Sequence, residues 1–223
     1  MTPARRPILA FDAASPRSSV AVALAGELLG AVDETGGPGA RPLVALVAEV
    51  TRAAGLTPRD LGGLVAVRGP GSFTGVRLAL ATAWALHESL ALPATAVTSF
   101  EALAWQLSGT GVPLLGLVDA RRGEWYAQRL APGDPPRPLA SPRILSVEAL
   151  EDEAPCLAIG FGASRLAARL PHFELREPQP LAPALAIALS RRAPESQPDL
   201  LLAPLYLRAP TPEVRRAERS AGE

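Results

Sequence analysis

The sequence has no lysine, one cysteine and two histidines, and only 4% of its residues are aromatic. Without lysine it can hold neither a Walker-type phosphate-binding lysine nor a Schiff-base lysine. The single cysteine, Cys156, excludes an intramolecular disulfide framework and a multi-cysteine zinc site. No apolar run reaches 18 residues, so no membrane-spanning helix is expected and the predicted location is the cytoplasm.

The remaining composition is typical of a folded protein. Of its 223 residues, 48% are apolar and 20% are charged, which is enough apolar surface for a sizeable core. The 22 basic residues are all arginine and equal the 22 acidic residues in number. This balance argues against a protein that binds nucleic acid or acidic lipid through its overall charge.

The order of predicted elements indicates an α/β protein with two unequal halves. Residues 1–108 read as three strands followed by alternating helices and strands, and form the predicted first lobe. Residues 109–209 read as a weaker, proline-rich second lobe. Its predicted elements include a helix at residues 146–150 with Ser146 as its cap, a strand at residues 157–159, a helix at residues 163–170, and a short strand or extended segment at residues 205–208. The charged residues 210–223 are predicted to be a disordered tail.

A glycine-rich loop at residues 68–75 lies between a predicted buried strand and a long helix. Thr74 stands where a dinucleotide-binding loop needs glycine, and a Walker loop would need lysine. Such a loop can present N–H groups to an anion or allow another backbone to approach closely. It can also be a plain strand-to-helix turn capped by Ser72 or Thr74, and the sequence leaves these alternatives open.

Other polar residues give weaker signals. Asp12 ends the first strand, but Ala13 and Ala14 follow where a phosphate loop would carry glycine, so a structural hairpin is favoured. His87 and His172 are not spaced for a shared metal or a catalytic triad. The segment around Arg121 is typical of an exposed, charged hairpin turn.

Two predicted helices, at residues 43–54 and 76–91, are apolar around most of their circumference. A helix that covers a sheet needs an apolar stripe on one side only. We therefore predict that their outer sides contact another protein. Replacement of Trp84 or Leu80 by Glu is expected to break that contact without unfolding the chain. The alternative to a partner contact is that these helices look apolar only because they are rich in alanine, as the base composition of the genome would cause. The predicted interface residues are Leu43, Val44, Val47, Val50, Val76, Leu80, Ala83, Trp84 and His87.

Five segments, in order along the chain, resemble the TsaB (YeaZ) family. They are residues 8–22, 69–77, 99–104, 118–124 and 204–208, and they span nearly the whole sequence. The most specific is the signature loop, formed by Gly69, Pro70, Gly71, Ser72, Phe73, Thr74, Gly75 and Arg77. The sequence departs from the family pattern at residues 39–42, which replace a common His-Ser pair, and at Ala13 and Ala14, which replace Thr-Ser.

This resemblance implies an actin-like (ASKHA, ribonuclease H-like) fold with two α/β lobes and a reduced, divergent second lobe. It implies a non-catalytic subunit, without metal or cofactor, that binds and activates TsaD. TsaD transfers a threonylcarbamoyl group to adenosine 37 of tRNA (t6A37) and carries a histidine-based metal site. In this sequence the corresponding helix, residues 41–54, offers no pair of ligands for such a site. Further implied partners are the ATPase TsaE, tRNA through the complex, and a second copy through the same helices.

Two other functions stay open at this point. One is an ATP- or metal-dependent enzyme of the actin-like type, which would need a nucleotide or metal site. The other is a tRNA-binding module that uses Arg121, Arg122 and the arginines of residues 215–219 as a local basic patch.

Overall fold

The computed structural model describes residues 6–35, 40–131, 133–192 and 195–208. The first of its two sheets has five strands in the order β3-β2-β1-β4-β5. Strands β1 and β2 are antiparallel, while β4 and β5 run parallel to β1. The strand bounds are β1 Ile8–Asp12, β2 Arg17–Leu24, β3 Glu27–Thr35, β4 Gly63–Val67 and β5 Ala94–Val97.

The second sheet repeats this pairing in a shorter form. Strands β6 and β7 are antiparallel, and β10 and β11 run parallel to β6, as β4 and β5 do to β1. Its order is β11-β10-β6-β7-β8, with β9 also paired to β7. The bounds are β6 Leu114–Arg121, β7 Glu124–Ala131, β8 Arg137–Pro138, β9 Arg143–Ser146, β10 Leu157–Ile159 and β11 Glu174–Arg176. The predicted actin-like fold, with a reduced second lobe, is confirmed.

Helices cover these sheets. They are α1 Leu43–Ala53, α2 Phe73–Leu90, α3 Ser99–Trp105, α4 Val147–Glu151 and α5 Leu181–Ser190. The helix predicted for residues 163–170 is only a 3-10 turn, Ala163–Leu166. Residues 205–208, predicted to be a short strand or an extended segment, pair with neither sheet, so the strand alternative is wrong. Within the described ranges, every helix is too short or too polar to cross a lipid bilayer.

The central strands of the first sheet, β1, β4 and the middle of β2, are buried on both faces. Helices α1 and α2 pack against this sheet, and α5 returns from the far end of the chain to pack against β1, β2 and β3. The amide of Ala182 donates to Ser19 Oγ (3.1 Å) and that of Gly26 donates to Ser190 Oγ (2.9 Å), which ties α5 to the sheet. Every residue of β1 is accordingly buried.

The predicted lobe boundary near residue 108 lies at a 3-10 turn, Ser108–Thr110, between the two sheets. The last part of the predicted second lobe does not stay with the second sheet. Helix α5 packs on the first sheet, and the 3-10 turn Pro198–Leu202 packs against β5 and α2. The predicted tail, residues 210–223, lies outside the described residues.

Candidate functional site

The signature loop packs backbone to backbone against the β1–β2 turn. The amide of Ser72 donates to the carbonyl oxygen of Ala14 (2.8 Å). A β-carbon at residue 71 would lie 2.3 Å from that same oxygen, and one at residue 75 would lie 1.7 Å from the carbonyl oxygen of Ala13. Glycine is therefore needed at Gly71 and Gly75 because the two turns touch, whether or not a ligand is present.

The loop also binds two more distant segments. The amide of Ser99, at the start of α3, donates to the Gly69 carbonyl (2.8 Å), and its hydroxyl donates to the Pro70 carbonyl (2.7 Å). On the other side, the amide of Leu205 donates to the Arg68 carbonyl (2.8 Å). One loop thus joins the first strand turn, α3 and the C-terminal segment.

Two further signature residues hold the C-terminal segment in place. The Phe73 ring contacts both the Tyr206 ring, with 4.8 Å between ring centres, and the Arg77 guanidinium, 3.9 Å from the Phe73 ring centre. Arg77 Nε also donates to the Tyr206 hydroxyl (3.3 Å). Ser72 is the N-cap of α2 and accepts from the Gly75 amide (3.2 Å). These contacts give the signature residues a structural function.

Asp12 lies beneath the β1–β2 turn, fully buried. Its carboxylate accepts hydrogen bonds from the Ala14 amide (2.7 Å) and from the Ser15 hydroxyl. Burial raises the pKa of Asp12 to about 6, because the charged form is desolvated; the hydrogen bonds oppose this only in part. The carboxylate is therefore used to shape the turn and is closed off from solvent.

A cleft of about 540 Å³ lies between the two sheets. The β1–β2 turn and the signature loop form one wall, and the β6–β7 hairpin with the turn after β10 forms the other. Three arginines line it. Arg17 pairs with Asp33, and Arg165 approaches Asp119 at 3.4 Å, whereas Arg121 has no ion-pair partner among the described residues.

The structure corrects most of the predicted partner interface. Only Val44 has a strongly exposed side chain, at 59%, while Trp84 and His87 are half-buried. The outward orientation predicted for the others is wrong, because their side chains pack in this chain's own core. These buried residues are Leu43, Val47, Val50, Val76, Leu80 and Ala83.

The exposed apolar side chains on α2 are ones that the sequence analysis did not select. Leu78 is 46% exposed, and Ala81 and Ala85 are also exposed. They follow one another at spacings of three and four residues, so they share one side of the helix. Two exposed alanines, Ala45 and Ala48, accompany Val44 on α1. The sequence shows the excess of apolar residues, but helical periodicity in an almost wholly apolar helix does not show which side faces out.

The histidines have structural contacts. His87 Nδ1 donates to the Leu92 carbonyl (2.6 Å), and its ring centre is 5.7 Å from that of Trp84. His172 Nε2 donates to the Glu153 carbonyl (3.2 Å). In the part of the chain that the structure describes, no three His, Cys, Asp or Glu residues lie close enough to share a metal ion.

Residues 40–134 match the family model described as TsaD, tRNA N6-adenosine threonylcarbamoyltransferase. This span includes α1, the signature loop, α2 and the β6–β7 hairpin. An uncharacterized protein of Mycobacterium tuberculosis is 36% identical over 159 residues, which cover 70% of this chain and 69% of that protein.

A relative with a functional name matches a shorter stretch. The tRNA threonylcarbamoyladenosine biosynthesis protein TsaB of Bacillus subtilis is 43% identical over 75 residues, 32% of this chain and 31% of that protein. Among solved structures, YeaZ from Pseudomonas aeruginosa superposes with a TM-score of 0.73 at 25% identity. That match covers 91% of this chain and 100% of the YeaZ chain, so the whole two-lobe fold is shared.

Proposed function

This chain belongs to the TsaB (YeaZ) family, and we propose that it takes part in forming t6A37 of tRNA as a non-catalytic subunit that binds and activates TsaD. In this proposal TsaE and tRNA join through the same complex, in the cytoplasm. The observation that carries it is a patch of exposed apolar side chains on the outer sides of α1 and α2.

We name this surface the docking face. Val44 and Leu78 are its large members, and a large exposed apolar side chain on each of two packed helices is typical of a contact with another protein. The alanines around them allow a partner helix to approach closely. The docking face consists of Val44, Ala45, Ala48, Leu78, Ala81 and Ala85.

The contacts of the signature loop support a role without chemistry. A loop that binds phosphate offers free N–H groups to the ligand. Here the Ser72 amide is bonded to Ala14, and the space beside Gly71 and Gly75 is filled by backbone. Asp12, at the β1–β2 turn against which this loop packs, is buried under that turn.

Binding at the docking face can activate TsaD without supplying a catalytic residue. A partner that binds one conformer of an enzyme more tightly raises the population of that conformer. A second copy of this chain, docked on the same apolar face, would compete with TsaD. The proposal therefore predicts that homodimers and TsaD complexes exclude each other.

A reconstituted modification assay tests this function. TsaD and the other components from the same bacterium are incubated with a tRNA transcript, threonylcarbamoyl-AMP and either this chain or buffer. We expect t6A37 to form at a much higher rate with the chain present, and an unchanged rate would contradict the proposal. Calorimetry of the isolated chain with ATP and Mg²⁺ tests the enzyme alternative, for which tight stoichiometric binding is required.

A further inference from the structure

The β6–β7 hairpin holds two adjacent arginines in an unfavourable backbone conformation. Arg121 pairs with Glu124, so Arg122 and Gly123 form a two-residue turn. Arg121, Arg122 and Gly123 have φ values of 66°, 57° and 78°. Two-residue turns with positive φ prefer Asn or Gly at the first position, and arginine is disfavoured there. Local stability therefore does not account for arginine at this turn, which points to a function for its charge.

The two arginines stand beside a groove of about 300 Å³ between the hairpin and the C-terminal segment. Arg122 and Arg208 line this groove. Arg121 and Tyr126 line both the groove and the larger cleft between the sheets, so the two depressions are adjacent. We name the two depressions together the cationic groove; its charged members are Arg17, Asp119, Arg121, Arg122, Arg165 and Arg208, and its aromatic members are Phe73, Tyr126, Phe161 and Tyr206.

The cationic groove carries an excess of positive charge, although the whole chain is neutral. Three of its arginines are offset by carboxylates: Arg17 by Asp33, Arg165 by Asp119 and Arg208 by Glu124. Arg121 and Arg122 have no ion-pair partner among the described residues and are exposed. Two uncompensated guanidinium groups beside a concave surface attract a polyanion.

The chemistry of the groove favours RNA over other polyanions. Guanidinium groups bind phosphate in a planar, bidentate manner, and a half-buried tyrosine offers a ring on which a base can stack. A flat lipid surface does not fit a concave groove, and an acidic protein segment would leave the ring without a base. We propose that the cationic groove binds the phosphate backbone of the tRNA substrate. This inference rests on the proposed function, and it makes this chain a direct tRNA contact as well as a partner of TsaD.

A salt titration of tRNA binding tests the inference on the isolated full-length chain. Fluorescence anisotropy of a labelled, unmodified tRNA transcript is measured for the natural chain and for Arg121→Glu/Arg122→Glu. We expect affinity to fall at least about tenfold and the slope of log affinity against log salt to become shallower by about 2, since two phosphate contacts are lost.

The matched control is Arg59→Glu/Arg137→Glu, which changes the net charge by the same amount. Both residues are exposed and lie away from the cleft: Arg59 next to the start of β1, and Arg137 against the end of β7 far from the hairpin. This variant is expected to bind tRNA like the natural chain. Equal loss in both variants, or no loss in the hairpin variant, overturns the inference, as does equal affinity of the natural chain for polyglutamate and tRNA.

Arg122→Asn separates function from folding. Asn suits the positive φ of the turn, so we expect Tm to rise by about 2 °C while tRNA affinity falls about threefold. A gain in stability with unchanged affinity contradicts the inference. A TsaD pull-down with the same variants distinguishes the two proposals: loss of tRNA affinity with TsaD binding intact supports both, whereas a natural chain that fails to bind TsaD refutes only the proposed function.

Discussion

Gly75 and Ala13 touch through their backbones: a β-carbon on Gly75 would stand 1.7 Å from the Ala13 carbonyl oxygen. This contact joins the start of α2 to the turn that follows β1. It also gives a structural context for the two alanines of this turn, which the sequence showed only as the absence of a phosphate-loop glycine. Ala13 and Ala14 replace the glycine of a phosphate loop, and the glycines on the opposite side, Gly71 and Gly75, make room for them.

The first prediction concerns this contact. Gly75→Ala should lower the free energy of unfolding by about 3 kcal/mol, even though alanine favours helix, because the added methyl group displaces the β1–β2 turn. Urea unfolding followed by circular dichroism measures the change. Gly109→Ala is the control, since a β-carbon there meets nothing within 4 Å, and its stability should stay near that of the natural chain.

The second prediction compares two leucines on one helix. Leu80 is buried, so Leu80→Glu places an unpaired carboxylate in the core and should cost about 3–5 kcal/mol. Leu78 is exposed, and Leu78→Glu should change stability by less than about 0.5 kcal/mol. Thermal unfolding of both variants checks this, and similar Tm values would show that the helix is oriented differently.

The third prediction concerns pH. Burial raises the pKa of Asp12 from 3.8 to about 6, so the folded chain keeps this proton at pH values where the unfolded chain has lost it. Stability is therefore lost as pH rises from about 4 to 6, by about 3 kcal/mol in total. The side chain in Asp12→Asn stays neutral at all these pH values. The free energy of unfolding of this variant should therefore exceed that of the natural chain by a margin that grows as pH rises over this range.

The measurement is the difference in free energy of unfolding between the natural chain and Asp12→Asn at pH 4 and at pH 7. Carboxylates with lowered pKa values, such as those of Glu153 and Glu177, have the opposite effect: they make the fold more stable as pH rises. They are present in both proteins, so their effect cancels in the difference. A margin that does not change with pH would contradict the assignment.

Local signals in the sequence predicted the fold well. The strands at residues 8–12 and 157–159 have the predicted bounds, and Ser146 caps α4 as expected. The return of α5 to the first sheet was missed, because it depends on contacts such as Ala182 with Ser19, which are far apart in sequence. Residues 205–208 were predicted to be a short strand or an extended segment. Their backbone is bonded to Arg68 and their side chains contact Phe73, Ala120 and Glu124, but they do not pair as a strand with either sheet.

The docking face shows more clearly what could not be predicted from the sequence. The excess of apolar residues on α1 and α2 predicted a partner, yet the large residues chosen, such as Leu80 and Val76, cover the sheet. In an Ala- and Leu-rich helix the side that faces the core is set by where the sheet lies, and periodicity does not contain that information. The structure retains Val44 from the predicted set and adds Leu78.

Binding of TsaD by a docking-face variant tests the central claim most directly. Titration calorimetry compares the natural chain with Val44→Glu/Leu78→Glu and with a matched control, Val112→Glu/Leu139→Glu, whose residues are 48% and 44% exposed but lie outside the docking face. The account predicts that all three proteins stay folded, that the control binds TsaD like the natural chain, and that the docking-face variant loses at least about a hundredfold in affinity. A folded docking-face variant that binds TsaD with unchanged affinity would contradict it.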